Sequence, residues 1–97
     1  MVTLVNKFTV GGEPGDFERI WVQSSDFMRT QPGFISFRLM RSLQNPQVYY
    51  NIAEWKDMES HTRVVNSPAF ASHIAELAGL ATPEPNMCEV VIEHGAS

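Results

Sequence analysis

The sequence predicts an α+β fold: an antiparallel sheet with helices packed on one face, in the order β-α-β-β-α-α-β. Three observations carry this. The stretches from Val2 to Val10 and from Val48 to Trp55 place apolar side chains at every second position, the period of a strand with a buried face. Phe17, Ile20, Trp21, Ser24, Phe27 and Met28 recur instead at helical spacing. Proline and glycine cluster between these segments, where the chain must turn.

The first strand runs from Val2 to Val10 and is broken by Gly11, Gly12, Pro14 and Gly15. Asp16 is a candidate N-cap for the first helix, which extends to about Thr30 and stops at Pro32-Gly33. The second strand spans Phe34 to about Ser42. Phe34, Ser36, Arg38 and Met40 share one face in a regular strand, and Ile35, Phe37, Leu39 and Arg41 the other. The turn Gln44-Asn45-Pro46-Gln47 leads into the third strand, Val48 to Trp55, making a hairpin. Asp57 can cap a short helix from Met58 to about Val65. Ser67 followed by Pro68 opens another, to about Leu80, with Phe70, Ile74 and Leu77 inward. Thr82-Pro83-Glu84-Pro85 reads as a rigid linker, and Met87 to Glu93 as the final strand. The arrangement is ferredoxin-like.

The helices cover one sheet face. The other is expected to carry Val5, Ile35, Phe37, Leu39, Tyr50 and Ile52, a surface too apolar to leave in water. A second copy packed sheet against sheet about a two-fold axis would cover it, so a homodimer is expected.

Length and composition narrow the function classes. The 97 residues suit one domain with one core. Net charge is -4, and the seven basic residues form no stripe, which weighs against nucleic acid and anionic membrane partners. No apolar run approaches the roughly 20 residues a membrane helix needs, and no signal-peptide pattern opens the chain. The lone cysteine, Cys88, has no internal partner, which makes the cytoplasm the expected location. Cys88 itself reads as a small buried hydrophobe in the last strand. There is neither a glycine-rich dinucleotide fingerprint nor a dense metal-ligand cluster, so no metal site is expected.

Two amides break the apolar pattern. Asn6 shares a strand face with Val2, Leu4, Phe8 and Val10. Asn51 shares one with Tyr49, Ala53 and Trp55. A buried amide without partners costs about 1–3 kcal/mol, so each marks a structural anchor or a group that meets a ligand. Read singly, Asn6 is a strand anchor, Asn51 pairs with backbone at a sheet irregularity and Trp55 plugs the core. His73 lies among apolar helix positions and would be satisfied locally, and His61 would sit at the surface.

Together these residues resemble a known family. Val2-Thr3-Leu4-Val5-Asn6-Lys7-Phe8-Thr9-Val10, Gln31-Pro32-Gly33-Phe34, Tyr50-Asn51-Ile52-Ala53-Glu54-Trp55, and Asn66-Ser67-Pro68-Ala69-Phe70 followed by His73 are similar, in this order, to the antibiotic biosynthesis monooxygenase domain. The resemblance implies a dimeric α/β barrel. It is nearest to the cofactor-free anthrone oxygenases of aromatic polyketide pathways. It implies catalytic roles for Asn6 and Trp55, and for Asn51 by likeness to another member of that branch. That member's helix tyrosine and late arginine fall at His61 and near Ala75, where this sequence departs. A haem-degrading branch shares Asn6 and has its axial histidine at His73, but expects a bulky tryptophan where this chain has Val64.

The resemblance implies the chemistry as well. An anthrone carries an acidic methylene beside a carbonyl; its enolate can reduce dioxygen by one electron, and the product is a quinone. The substrate serves as its own cofactor, with dioxygen as co-substrate. Asn6 and Asn51 could donate to the developing oxyanion, and Trp55 could stack on the rings or donate its indole N–H. Phe27, Met28, Phe70 and Ile74 would form apolar walls, with Tyr49 beside them. His73, His61 or a bound water could take the proton. Haem binding or degradation, and a non-catalytic dimeric module for a small aromatic ligand, are the alternatives.

Overall fold

The computed structural model describes residues 1–96. The elements are β1 (Val2–Val10), α1 (Pro14–Met28), β2 (Phe34–Arg41), β3 (Val48–Trp55), α2 (Met58–Val65), α3 (Pro68–Leu80) and β4 (Ala81–Cys88). The strands form one antiparallel, four-stranded sheet in the order β2-β3-β1-β4, and the fold is ferredoxin-like α+β.

Two helix caps match the expectation. The Asp57 carboxylate accepts from Ser60 N–H at 2.8 Å, and the Ser67 hydroxyl accepts from Phe70 N–H at 3.2 Å. The start of α1 differs. Glu13 is the N-cap and Pro14 opens the helix, because proline lacks an N–H and has its φ already set for a first turn. Asp16 lies one turn in, where its charge complements the positive end of the helix.

The last strand is the larger correction. The expected linker Thr82–Pro85 is itself strand, and β4 ends at Cys88, so the stretch from Glu89 to Glu93 lies outside the sheet. Pro83 and Pro85 are tolerated because β4 is an edge, where one side of the backbone needs no partner. Cys88 is exposed rather than buried. Beyond it Val90, Val91 and Ile92 are also exposed.

The second strand carries an irregularity between Phe34 and Ser36. A regular strand would put Phe34 and Phe37 on opposite faces; the bulge puts both toward the helices, opposite Trp55 and Ala53. Leu39, opposite Asn51, follows them. Phe37 and Leu39 are therefore not on the outer face, as the alternation had suggested. That face instead carries Val5, Tyr50, Ile52 and Met40, bordered by Lys7, Arg38, Glu54 and Glu84. Glu54 accepts from the Thr3 hydroxyl at 2.8 Å, and Arg38 stands opposite Ile52.

Two apolar clusters lie between sheet and helices. One gathers Phe8, Val10, Phe17, Ile20, Tyr49 and Leu77; the other gathers Leu4, Ala53, Trp55 and Val64. Along β1 and β3, Asn6 and Asn51 fall between the two. The core is interrupted at the level of the two amides.

Candidate active site

At that interruption lies a cavity of about 380 Å³, within the usual size range of small-molecule sites, roughly 300–1,000 Å³. The sheet supplies its floor through Leu4, Asn6, Asn51, Ala53 and Trp55, with Phe34 and Phe37 from β2 and Pro83 and Pro85 from β4. Trp21, Ser24, Ser25 and Met28 close it from α1. His61 and Val65 come from α2, and Phe70, Ile74 and Leu77 from α3.

The register explains why the amides meet. Asn6 and Asn51 are direct partners across β1 and β3, so their side chains emerge together on the helix-facing side. Trp55, four residues beyond Asn51, lies on the same face roughly 13 Å along the strand. The side chain of Trp55 is fully buried, and its ring meets His61 at 5.3 Å and Phe34 at 5.4 Å, nearly perpendicular to each.

Four polar atoms of side chains that line this cavity are buried without a hydrogen-bond partner: Asn6 Oδ1, Asn51 Oδ1, Trp21 Nε1 and Trp55 Nε1. Orphans of this kind cost about 1–3 kcal/mol each, and native folds rarely tolerate several together. The neighbouring hydroxyls are not orphaned. Ser24 donates to the His73 carbonyl at 3.0 Å and Ser25 to the Val22 carbonyl at 2.9 Å. The unpaired groups include two acceptors and two indole donors, set in an otherwise apolar enclosure. This is the lining expected around a flat aromatic molecule that bears oxygens.

The structure thus brings Asn6, Asn51, Trp55, Met28, His61, Phe70 and Ile74 onto one cavity. His61 is half-buried rather than superficial, and burial pushes its imidazole below the usual histidine pKa. Three expected residues lie elsewhere. Tyr49 shares the face of Asn51, but α1 covers it. Its ring packs on Phe17 at 4.8 Å and its hydroxyl donates to Glu18. Burial first, and then that hydrogen bond, raises its phenol pKa. Phe27 and His73 stack face to face across α1 and α3 at 4.5 Å, away from the cavity, and His73 is exposed.

Trp21, which also lines the cavity, stands in the sequence only as one of a series at helical spacing. The available signal was its type, since an indole on an inward helix face brings an N–H that needs a partner. Phe37 was missed because the bulge reverses the strand's alternation.

The cavity, its amide pair and the sheet order can be set beside known proteins. Residues 1–76 match the model of the family described as "Antibiotic biosynthesis monooxygenase". The chain belongs to the antibiotic biosynthesis monooxygenase family. It is 39% identical over 83 residues to deoxynogalonate monooxygenase of Streptomyces nogalater, covering 86% of this chain and 70% of that protein. The crystal structure of SnoaB, a cofactor-independent oxygenase from Streptomyces nogalater, superposes with a TM-score of 0.89 at 35% identity, covering 95% of this chain and 94% of that one. A haem oxygenase (mycobilin-producing) of Mycobacterium tuberculosis is 24% identical over 99 residues, covering 99% of this chain and 94% of that protein.

The haem-degrading relative invites a test of fit. The position implied for an axial ligand is His73, and its imidazole stacks on Phe27 outside the cavity. Val64, where that branch expects a bulky ring, is packed into one core cluster with Leu4, Trp55 and Ala53. These residues of this monooxygenase-family chain do not fit a haem held in the cavity by His73.

Proposed function

We propose that this chain is a cofactor-independent monooxygenase that oxidises an anthrone-like aromatic polyketide to a quinone with dioxygen, through a substrate enolate. The observation that carries the reading is the group of four unpaired polar atoms, Asn6 Oδ1, Asn51 Oδ1, Trp21 Nε1 and Trp55 Nε1, around an apolar cavity. Phenolic hydroxyls of the substrate donate to the amide oxygens. The indole N–H groups and the amide NH2 groups donate to the carbonyl oxygen as it gains charge. Donors aimed at a developing oxyanion in a dry site are worth about 2.7–4 kcal/mol each.

The steps balance without a resident cofactor. Loss of a methylene proton leaves an enolate. The enolate passes one electron to dioxygen, and the substrate radical and superoxide join through a new C–O bond. Protonation gives a hydroperoxide, and loss of water, taking the remaining hydrogen from that carbon, leaves the quinone carbonyl. The protein binds the flat ring, favours its anion and excludes bulk water.

The likeness to SnoaB, a cofactor-independent oxygenase, supports this reading, as does the family. The working form is a homodimer through the outer sheet face, where Val5, Tyr50, Ile52 and Met40 form an apolar centre.

The test is oxygen uptake and quinone absorbance when metal-free, chelator-treated protein meets an anthrone such as 1,8-dihydroxyanthrone, above the uncatalysed rate. Asn6→Ala and Trp55→Phe are expected to cut turnover while circular dichroism stays unchanged. Full activity in both variants sinks the assignment.

A further inference from the structure

The cavity wall holds amides, indoles, hydroxyls and hydrocarbon, and among the described residues one titratable side chain, His61. No Asp, Glu, Lys, Arg, Cys or Tyr side chain reaches the wall from β1, β2, β3, β4, α1 or α3. On α2 itself, Glu59 and Arg63 are exposed, and the Asp57 carboxylate is turned to Ser60 N–H as the helix cap. The lowering of the His61 pKa follows from burial alone, with no charged neighbour contributing.

The place of His61 is fixed from two sides. Its ring meets the fully buried Trp55 ring at 5.3 Å and 75°. The start of α2 is held by the Asp57 cap and by Gly33, which closes against Ser60. Among the described residues the imidazole makes no hydrogen bond, so its ring nitrogens remain available to the cavity.

We infer that His61 is the catalytic base of this site, taking the proton from the acidic methylene carbon of the substrate and later returning it to the peroxide. The inference rests on the oxygenase reading above. In the first step a C–H bond breaks, an N–H bond forms on the imidazole, and the electron pair stays in the ring system as the enolate. After the enolate and dioxygen have combined, the imidazolium gives its proton to the peroxide oxygen. Neutral His61 is restored and the hydroperoxide goes on to lose water. A histidine with a lowered pKa is neutral, and able to act, at ordinary pH.

The experiment separates deprotonation from oxidation. Under anaerobic conditions in D2O, the wild-type protein is mixed with the anthrone, and exchange of the methylene protons is followed by NMR. Oxygen uptake is measured in parallel over a pH series. For wild type, accelerated exchange is expected, with an acid limb in kcat/KM below the usual histidine range. For His61→Gln, exchange and uptake fall by about 10²-fold or more, and the acid limb disappears. His61→Ala supplies a second route, because added imidazole can enter the space it leaves and restore exchange. Exchange at the wild-type rate in a folded His61→Gln protein overturns the inference and leaves the oxygenase reading standing. Exchange that depends on His61 without oxygen uptake overturns the oxygenase reading and leaves the base. If the wild-type protein accelerates neither, both are overturned.

Discussion

Asn6 and Asn51 stand directly opposite one another on adjacent antiparallel strands, and each buries an amide oxygen with no hydrogen-bond partner. Two such groups side by side destabilise the empty protein. Asn6→Leu and Asn51→Leu are therefore expected to leave the Tm unchanged or raise it, since each removes an orphan worth about 1–3 kcal/mol. Oxygen uptake should fall by about 10²–10³-fold, the usual loss when one oxyanion partner is removed. A clear drop in Tm with activity retained would show the amides to be structural anchors.

Trp21 offers a cleaner separation of packing from hydrogen bonding. Its ring meets Phe8 at 5.4 Å and Phe37 at 6.0 Å, and Trp21→Phe keeps an aromatic ring among them while deleting the unpaired N–H. The Kd for the anthrone is expected to rise about tenfold, the equivalent of one hydrogen bond. Titration of the variant with the substrate under anaerobic conditions checks this. Unchanged affinity together with unchanged kcat would assign Trp21 to packing alone.

Gly33 is the backbone position least able to accept a side chain. Its φ is +88°, and an added Cβ would come within 2.3 Å of Ser60 Oγ and 2.4 Å of Ser60 Cβ. Gly33→Ala is expected to cost at least about 1–3 kcal/mol from conformation alone, and to push α2 and His61 away from Trp55. Chemical denaturation gives the first quantity. A stable variant with full turnover would contradict the close packing.

The lowered pKa of His61 has a thermodynamic sign. The unfolded chain binds the proton more readily than the folded one, so stability falls as pH drops from the ordinary histidine value, about 6.5, through the lower folded value. It is level above that window and the penalty is complete below it. Tm measured across the window should decline for wild type and decline less for His61→Gln. Parallel profiles would mean that His61 titrates as it does in the unfolded chain.

Much of the fold was legible because local rules and the final structure agree. Alternation located β1 and β3, and Asp57, Ser67 and Pro68 marked the starts of α2 and α3 where the structure has them. Local rules fall short where a long-range partner changes what a residue can do. Thr82–Pro85 looked like a linker because prolines break ladders, yet they are harmless on an edge strand paired along one side only. Phe37 and Leu39 were placed on the wrong face because a bulge is invisible to a period-two count.

Element order, family, and the presence of Asn6, Asn51 and Trp55 on strand faces that would otherwise be apolar are all written in the residues. These depend on residue type and spacing, which the chain carries locally. Their company comes from the packed fold. Pairing of β1 with β3 set the two amides opposite each other. Packing of α1 brought Trp21 to the same cavity and shut Tyr49 away. Turning the histidines' helices against the sheet put His61 in the cavity wall and His73 outside it. Register, helix rotation and the shape of an interrupted core arise from contacts distant in sequence, and periodicity along one segment does not contain them.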